Sequence, residues 1–405
     1  MYINKTLTCG LRVICEKIPY VKTVSVGVWV GVGSRTESRL QNGLSHFIEH
    51  MLFKGTKNRT ARQIAEQTDF IGGYLNAFTS RECTCYYASA VDCYLENITE
   101  ILADMYKNSL FSPEDIELER GVILEEISMY EDSPEDLALD MMSETVWKGS
   151  LGASVSGTRE RVSAFTREEI VAFHKKYYNA GNTVISVAGN IDPEAVFELM
   201  NKYFGDIPAG DSYTDYGRVD FTPGKAYREK DIEQAHLCIA YGGIPQNNDS
   251  VYALSVLNNI FGNGMSSRLF QNIRESAGLA YSVYSAAESL KNAGIFFVYA
   301  GLSPQNVDRV RQMIYDEVAN IKKNGVTDYE LERALHQLTG SFTMSMESVG
   351  SRMNLMGKSA LLYDEVRTPD MILEKVGGVD KNKVNEVIDR VFSGETAESL
   401  VTNNL

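Results

Sequence analysis

Apolar positions change their spacing along the chain, and each change marks an element. Leu11-Arg12-Val13-Ile14-Cys15 and the stretch Thr23 to Gly33 have the composition and period of β-strands. A helix is predicted over Gly43 to Phe53 and another over Ala61 to Ile71. Gly72-Gly73 breaks the second and opens a strand region, Tyr74 to Val91, rich in Thr, Tyr and Cys. Leu95 to Ser109 returns to helical spacing. Pro113 followed by Glu114 and Asp115 marks the start of an acidic helix that runs through Met129. A helix around Arg167 to Tyr177 and a strand at Thr183 to Gly189 complete this half.

Residues 206–225 are polar and rich in turn formers, which predicts a linker between a domain at 1–210 and a second at 225–405. The second half repeats the order of the first. A strand at Ala235 to Tyr241 leads to a helix at Tyr252 to Phe261, then a Gly-rich turn and a helix at Arg268 to Ser276. Strands at Tyr281 to Ser289 and Ala293 to Ala300 precede long helices. The expected fold is α+β, two similar domains, each a mostly antiparallel sheet backed by helices, as after an internal duplication.

A chain of 405 residues exceeds what one hydrophobic core usually holds, in keeping with two domains. Its formal net charge of -15 argues against nucleic acid and anionic membranes as general partners. Val24 to Val32 is too short to span a bilayer. The opening Met1-Tyr2-Ile3-Asn4-Lys5 has neither a secretory nor a transit pattern, so a cytoplasmic, bacterial-type location is expected. The 6 cysteines form no Cys-x-x-Cys pair, which suits a reducing compartment. Cys83 and Cys85 share one face of a predicted strand and could bind metal, but packing beneath a sheet is the favoured reading.

The segment Ser45-His46-Phe47-Ile48-Glu49-His50-Met51-Leu52-Phe53 carries the chemistry. On a helix, His46 and His50 stand one turn apart on one face, a spacing that lets two imidazoles grip one zinc ion. Glu49 reaches the same side without having to be a ligand, in the inverted His-x-x-Glu-His order. A catalytic zinc needs a third protein ligand. Glu117, Glu119, Glu125 and Glu126 on the acidic helix are the candidates. Glu119 and Glu126 are two turns apart and share a face, while Glu125 points about 100° away; geometry alone does not choose. His174, His236 and His336 have no partner at ligand spacing. Phe261-Gly262-Asn263-Gly264-Met265-Ser266-Ser267 precedes a helix and could cradle an anion, but it lacks the lysine of a phosphate loop.

These strings resemble the pitrilysin-type, inverzincin metallopeptidases of family M16, especially mitochondrial processing peptidase and its bacterial relatives. The matches are Gly43 to Thr56, Gly72 to Glu82, Glu119 to Ile127, Met265 to Glu275 and Gly278 to Val283, in family order over nearly the whole chain. The resemblance implies a zinc endopeptidase with one Zn2+ per chain held by His46, His50 and Glu126, with Glu119 as supporting carboxylate and Glu49 as general base. It places Asn76, Ala77, Phe78 and Thr79 on an edge strand that holds substrate, and gives Glu82 the task of orienting a zinc-binding histidine. It assigns Arg274 and Tyr281 to contacts with substrate carbonyls or the oxyanion. It implies half of a clamshell, so peptide substrates and either a homodimer or a sister chain are the expected partners. A non-catalytic partner subunit is the competing reading, but relatives of that kind usually lose a metal residue, and none is lost here.

Overall fold

The computed structural model describes residues 2–217 and 219–403. It contains two compact units. One gathers Met1–Ile127, Ala153–Asp215 and Ser345–Thr368; the other gathers Ser128–Gly152, Tyr216–Met344 and Pro369–Leu405.

The first unit is built on strands β1 (Tyr2–Thr6), β2 (Arg12–Lys17), β3 (Thr23–Val30), β4 (Tyr74–Thr79), β5 (Thr84–Val91) and β6 (Thr183–Gly189), in the order β1-β2-β6-β3-β5-β4. Only β2 and β6 run parallel; the other pairs are antiparallel. β6 reads Thr-Val-Ile-Ser-Val-Ala-Gly and is buried along its length, because helices cover both faces of the sheet. The expected strand region 74–91 is two strands. Ser80 turns the chain between them, its N–H and hydroxyl both donating to the Cys83 carbonyl at 2.8 and 2.9 Å.

The second unit has β7 (Gly224–Glu229), β8 (Ala235–Gly242), β9 (Ala280–Ser289), β10 (Gly294–Leu302) and β11 (Ala397–Thr402), in the order β7-β11-β8-β10-β9. This is the same permutation as β2 to β6, again with only the first spatial pair parallel. The duplication suggested by element order is thus present in the pairing itself, and β1 is the one added strand. The helix expected at 268–276 is a π-helix, Phe270–Ser276.

The units cross the expected linker at 206–225 in both directions. Helix Val349–Tyr363, from beyond the linker, packs on β2, β3 and β6 of the first sheet. Helix Pro134–Val146, from before it, packs on β7, β8 and β11 of the second. The physical reason is coverage: each sheet has two apolar faces, and each exchanged helix closes one of them. On the first sheet Met353, Met356 and Ala360 meet Trp29, Cys83, Cys85 and Val184. The approach is closest at Gly357, where a Cβ would lie 2.0 Å from the Trp29 indole nitrogen. Cys83 and Cys85 are free thiols buried in this cluster, the packing role favoured above. Among the described residues, no helix is long and apolar enough to cross a membrane.

Candidate metal centre

Helix Leu44–Leu52 begins abruptly. Gly43 sits at φ +99°, and a Cβ there would lie 2.9 Å from the Ser156 carbonyl oxygen, so only glycine fits. Gly43 offers no side-chain cap. The buried carboxylate of Glu37 takes that place from outside the helix, accepting from the Gly43 N–H at 2.7 Å and the Ser45 N–H at 2.6 Å. Burial pushes the Glu37 carboxyl up to about 7, against the pull of those two donors. Phe47, Ile48, Met51 and Leu52 anchor the helix in the main core and leave His46, Glu49 and His50 on the opposite side.

The partner helix, Pro113–Asp132, buries the stripe Ile116, Glu119, Ile123 and Ile127. Its four acidic candidates separate by environment. Glu117 is exposed and paired with Arg120, and Glu125 is exposed. Glu119 is buried and Glu126 half-buried, and both turn toward the histidines.

One carboxylate oxygen of Glu126 lies 3.7 Å from His46 Nε2 and 3.5 Å from His50 Nε2. One ligand atom from each of His46, His50 and Glu126 falls within 4.8 Å of the others, the only such group among the described residues. Around a tetrahedral zinc with bonds of about 2.0–2.1 Å, neighbouring ligand atoms stand about 3.3 Å apart. The donor set and its spacing therefore fit zinc.

Glu119 accepts from His50 Nδ1 at 3.0 Å, which fixes the tautomer and leaves Nε2 as the free lone pair. Lys54 Nζ holds the other Glu119 oxygen at 2.5 Å. Burial, and then the charge on His50, bring the His46 imidazole down to about 4, so it stands neutral as a ligand must. Burial also pulls on His50, but its bonds to Glu126 and Glu119 outweigh that and raise it. Glu49 is raised, chiefly by burial, while a hydrogen bond from the Thr79 hydroxyl moderates the rise.

The expected substrate residues divide by strand parity. β4 is an edge strand. Leu75 and Ala77 pack toward the motif helix, and Thr79, of the same parity, donates to Glu49 Oε2 at 2.5 Å. Phe78 has the other parity, and its ring packs edge-on against Trp29 at 5.6 Å. Asn76 is exposed; its amide nitrogen donates to the Tyr74 hydroxyl, and its oxygen accepts from the Ala77 N–H at 2.8 Å. Glu82 differs from expectation. It is buried and ion-paired with Arg35 at 2.6 Å, while the far nitrogen of His50 is already bonded to Glu119 and that of His46 has no hydrogen-bond partner among the described residues. Arg274 and Tyr281 lie in the second unit, beside one another, with the guanidinium 5.8 Å from the ring centre and Tyr281 exposed. Lys54, Glu37 and Arg35 were missed from sequence. Their role depends on contacts with positions far along the chain or across a turn, which no local spacing encodes.

Two imidazoles and a carboxylate spaced for zinc, on helices that back a sheet, form a candidate metal centre, and comparison with known proteins relates the chain to zinc proteases. Residues 12–159 match the family model described as Insulinase (Peptidase family M16), and residues 164–338 match Peptidase M16 inactive domain. The chain is 40% identical to the uncharacterized zinc protease YmxG of Bacillus subtilis over 98% of each chain. It is 35% identical to an uncharacterized zinc protease of Rickettsia felis, over 98% of this chain and 96% of that one. A crystal structure of a protease from Helicobacter pylori has the same fold, with a TM-score of 0.93 at 22% identity over 99% of each chain. The chain belongs to peptidase family M16. The label of its second part agrees with the duplicated topology: where the first sheet has the His-bearing helix, the second has Ser250–Phe261, which contains no histidine.

Proposed function

We propose that this chain is a zinc-dependent endopeptidase acting on small or unfolded peptides, with Glu49 as general base. The observation that carries the reading is the convergence of His46, His50 and Glu126, with ligand atoms within 4.8 Å of one another, on the side of the helix that also presents Glu49. Zinc held by these three would polarise the scissile carbonyl and make a water acidic enough to attack it near neutral pH. Glu49 takes the proton from the attacking water and returns it to the leaving amine. Its elevated pKa brings it closer to the working pH, as a residue that must both accept and release a proton requires.

Substrate binds as an added strand on the edge of β4. The Ala77 N–H, held by the Asn76 side chain, becomes a donor to the peptide when that side chain moves aside. Strand addition demands an extended backbone with a free edge, which small or unfolded peptides offer most readily. A second chain of similar size, identical or a sister, is the proposed partner, and light scattering on the purified protein measures it.

The test is a digest of mixed peptides with and without a chelator, read by mass spectrometry, beside the Glu49→Gln variant. Chelator-sensitive cuts that the variant no longer makes support the reading. Cleavage unchanged by the substitution contradicts it.

A further inference from the structure

Thr79 ends β4, the strand whose edge a substrate would extend, and its side chain has the parity that faces the motif helix. Its hydroxyl donates to Glu49 Oε2 at 2.5 Å. The neighbouring Thr84 hydroxyl, 3.3 Å away, gives its own hydrogen to the Val32 carbonyl at 2.9 Å, so it does not compete for the carboxylate. No other side chain hydrogen-bonds Glu49 among the described residues. A glutamate has three side-chain torsions, and holding them in one arrangement costs rotamer entropy that some fixed partner must offset. That partner stands on the substrate's own strand.

We propose that Thr79 is the positioning residue for the base. The end of β4 is the closed end of a hairpin: Thr79 pairs with Thr84, and Ser80 bonds the Cys83 carbonyl, so the hydroxyl is held on a fixed backbone. This rests on the endopeptidase reading and adds to it the group that holds the base.

Thr79→Val keeps shape, strand propensity and the backbone N–H that also acts on Glu49 but removes the hydroxyl donor; Thr79→Ser keeps the hydroxyl. With the metal-loaded full chain and a peptide that it cuts, Thr79→Val is expected to lose about 10- to 100-fold in kcat, the scale of a misaimed catalytic group. KM should change by less than about twofold and metal content should not change, since no ligand is touched. Thr79→Ser should recover most of kcat. In a Glu49→Gln background, Thr79→Val should cause no further loss, because the two act as a unit. Wild-type kcat in Thr79→Val, equal losses in Val and Ser, or a loss confined to KM overturns the proposal. A Glu49→Gln variant that cuts like wild type defeats the endopeptidase reading instead, so the two failures are distinguishable.

Discussion

Glu37 caps the helix that carries both histidines, and its burial gives stability an unusual pH dependence. It is 3% exposed, and its carboxyl is raised from 4.5 to about 7 because burial outweighs the two backbone donors. A carboxyl raised on folding binds its proton more tightly in the folded chain. Its contribution to stability is therefore fully present below about pH 4.5 and is lost as pH rises through about 7, the opposite sign to a salt-bridged carboxylate. At about 1.36 kcal/mol per pKa unit, the rise corresponds to about 3 kcal/mol between those limits. The assay is urea unfolding of the chelator-treated protein at several pH values from 5 to 8, for wild type and Glu37→Gln. The remaining titrating groups cancel in the difference. Wild type should lose stability relative to Glu37→Gln across that range by on the order of 2–3 kcal/mol. Parallel curves, or a difference of the opposite sign, refute the reasoning.

Three further outcomes follow from the geometry. Glu119→Gln removes the anion that orients His50 and pairs with Lys54, so zinc affinity measured against a competing chelator should fall about 10- to 100-fold; unchanged affinity would mean that Glu119 does not support the site. Because His50 is raised above its usual value, protons compete with metal for it first, and affinity should drop by roughly tenfold per unit as pH falls below that value. A flat profile between pH 5.5 and 7 would contradict the assignment of His50 as ligand. Gly357→Ala drives a methyl into the Trp29 indole and should cost about 1–3 kcal/mol, seen as a lower melting temperature; a wild-type melt would show that the exchanged helix is not packed so tightly there.

The histidine pair was legible in the sequence because it is local: four residues is one helical turn, and the surrounding apolar positions fix which side is buried. The third ligand was not legible on the same grounds. Four of the glutamates on the acidic helix were candidates, two of them on one face, and only the family resemblance singled out Glu126. The structure separates them by what each side chain meets, with Glu117 on Arg120, Glu125 exposed, Glu119 on His50 and Lys54, and Glu126 on both Nε2 atoms. Phe78 shows the limit of motif reasoning along a strand. It adjoins Ala77 and Thr79 in sequence but faces the opposite side of the sheet, against Trp29. Glu82 shows the limit for buried charge, because its partner Arg35 lies 47 positions away and carries no signal of pairing. Helix Pro134–Val146 did carry a signal, Ser133 capping Asp136 with Pro134 in the first turn. Its destination on the second sheet is a long-range packing result that no local pattern announces.

X-ray absorption at the zinc edge of the purified, zinc-loaded protein tests the central claim most directly. The account predicts a first shell of nitrogen and oxygen only, at about 2.0–2.2 Å, with the outer scattering of two imidazoles. Replacing Glu126 by Ala should abolish that spectrum, while replacing Cys83 by Ala should leave it unchanged. Sulfur neighbours at about 2.3 Å, or a protein that takes up no metal at all, would contradict it.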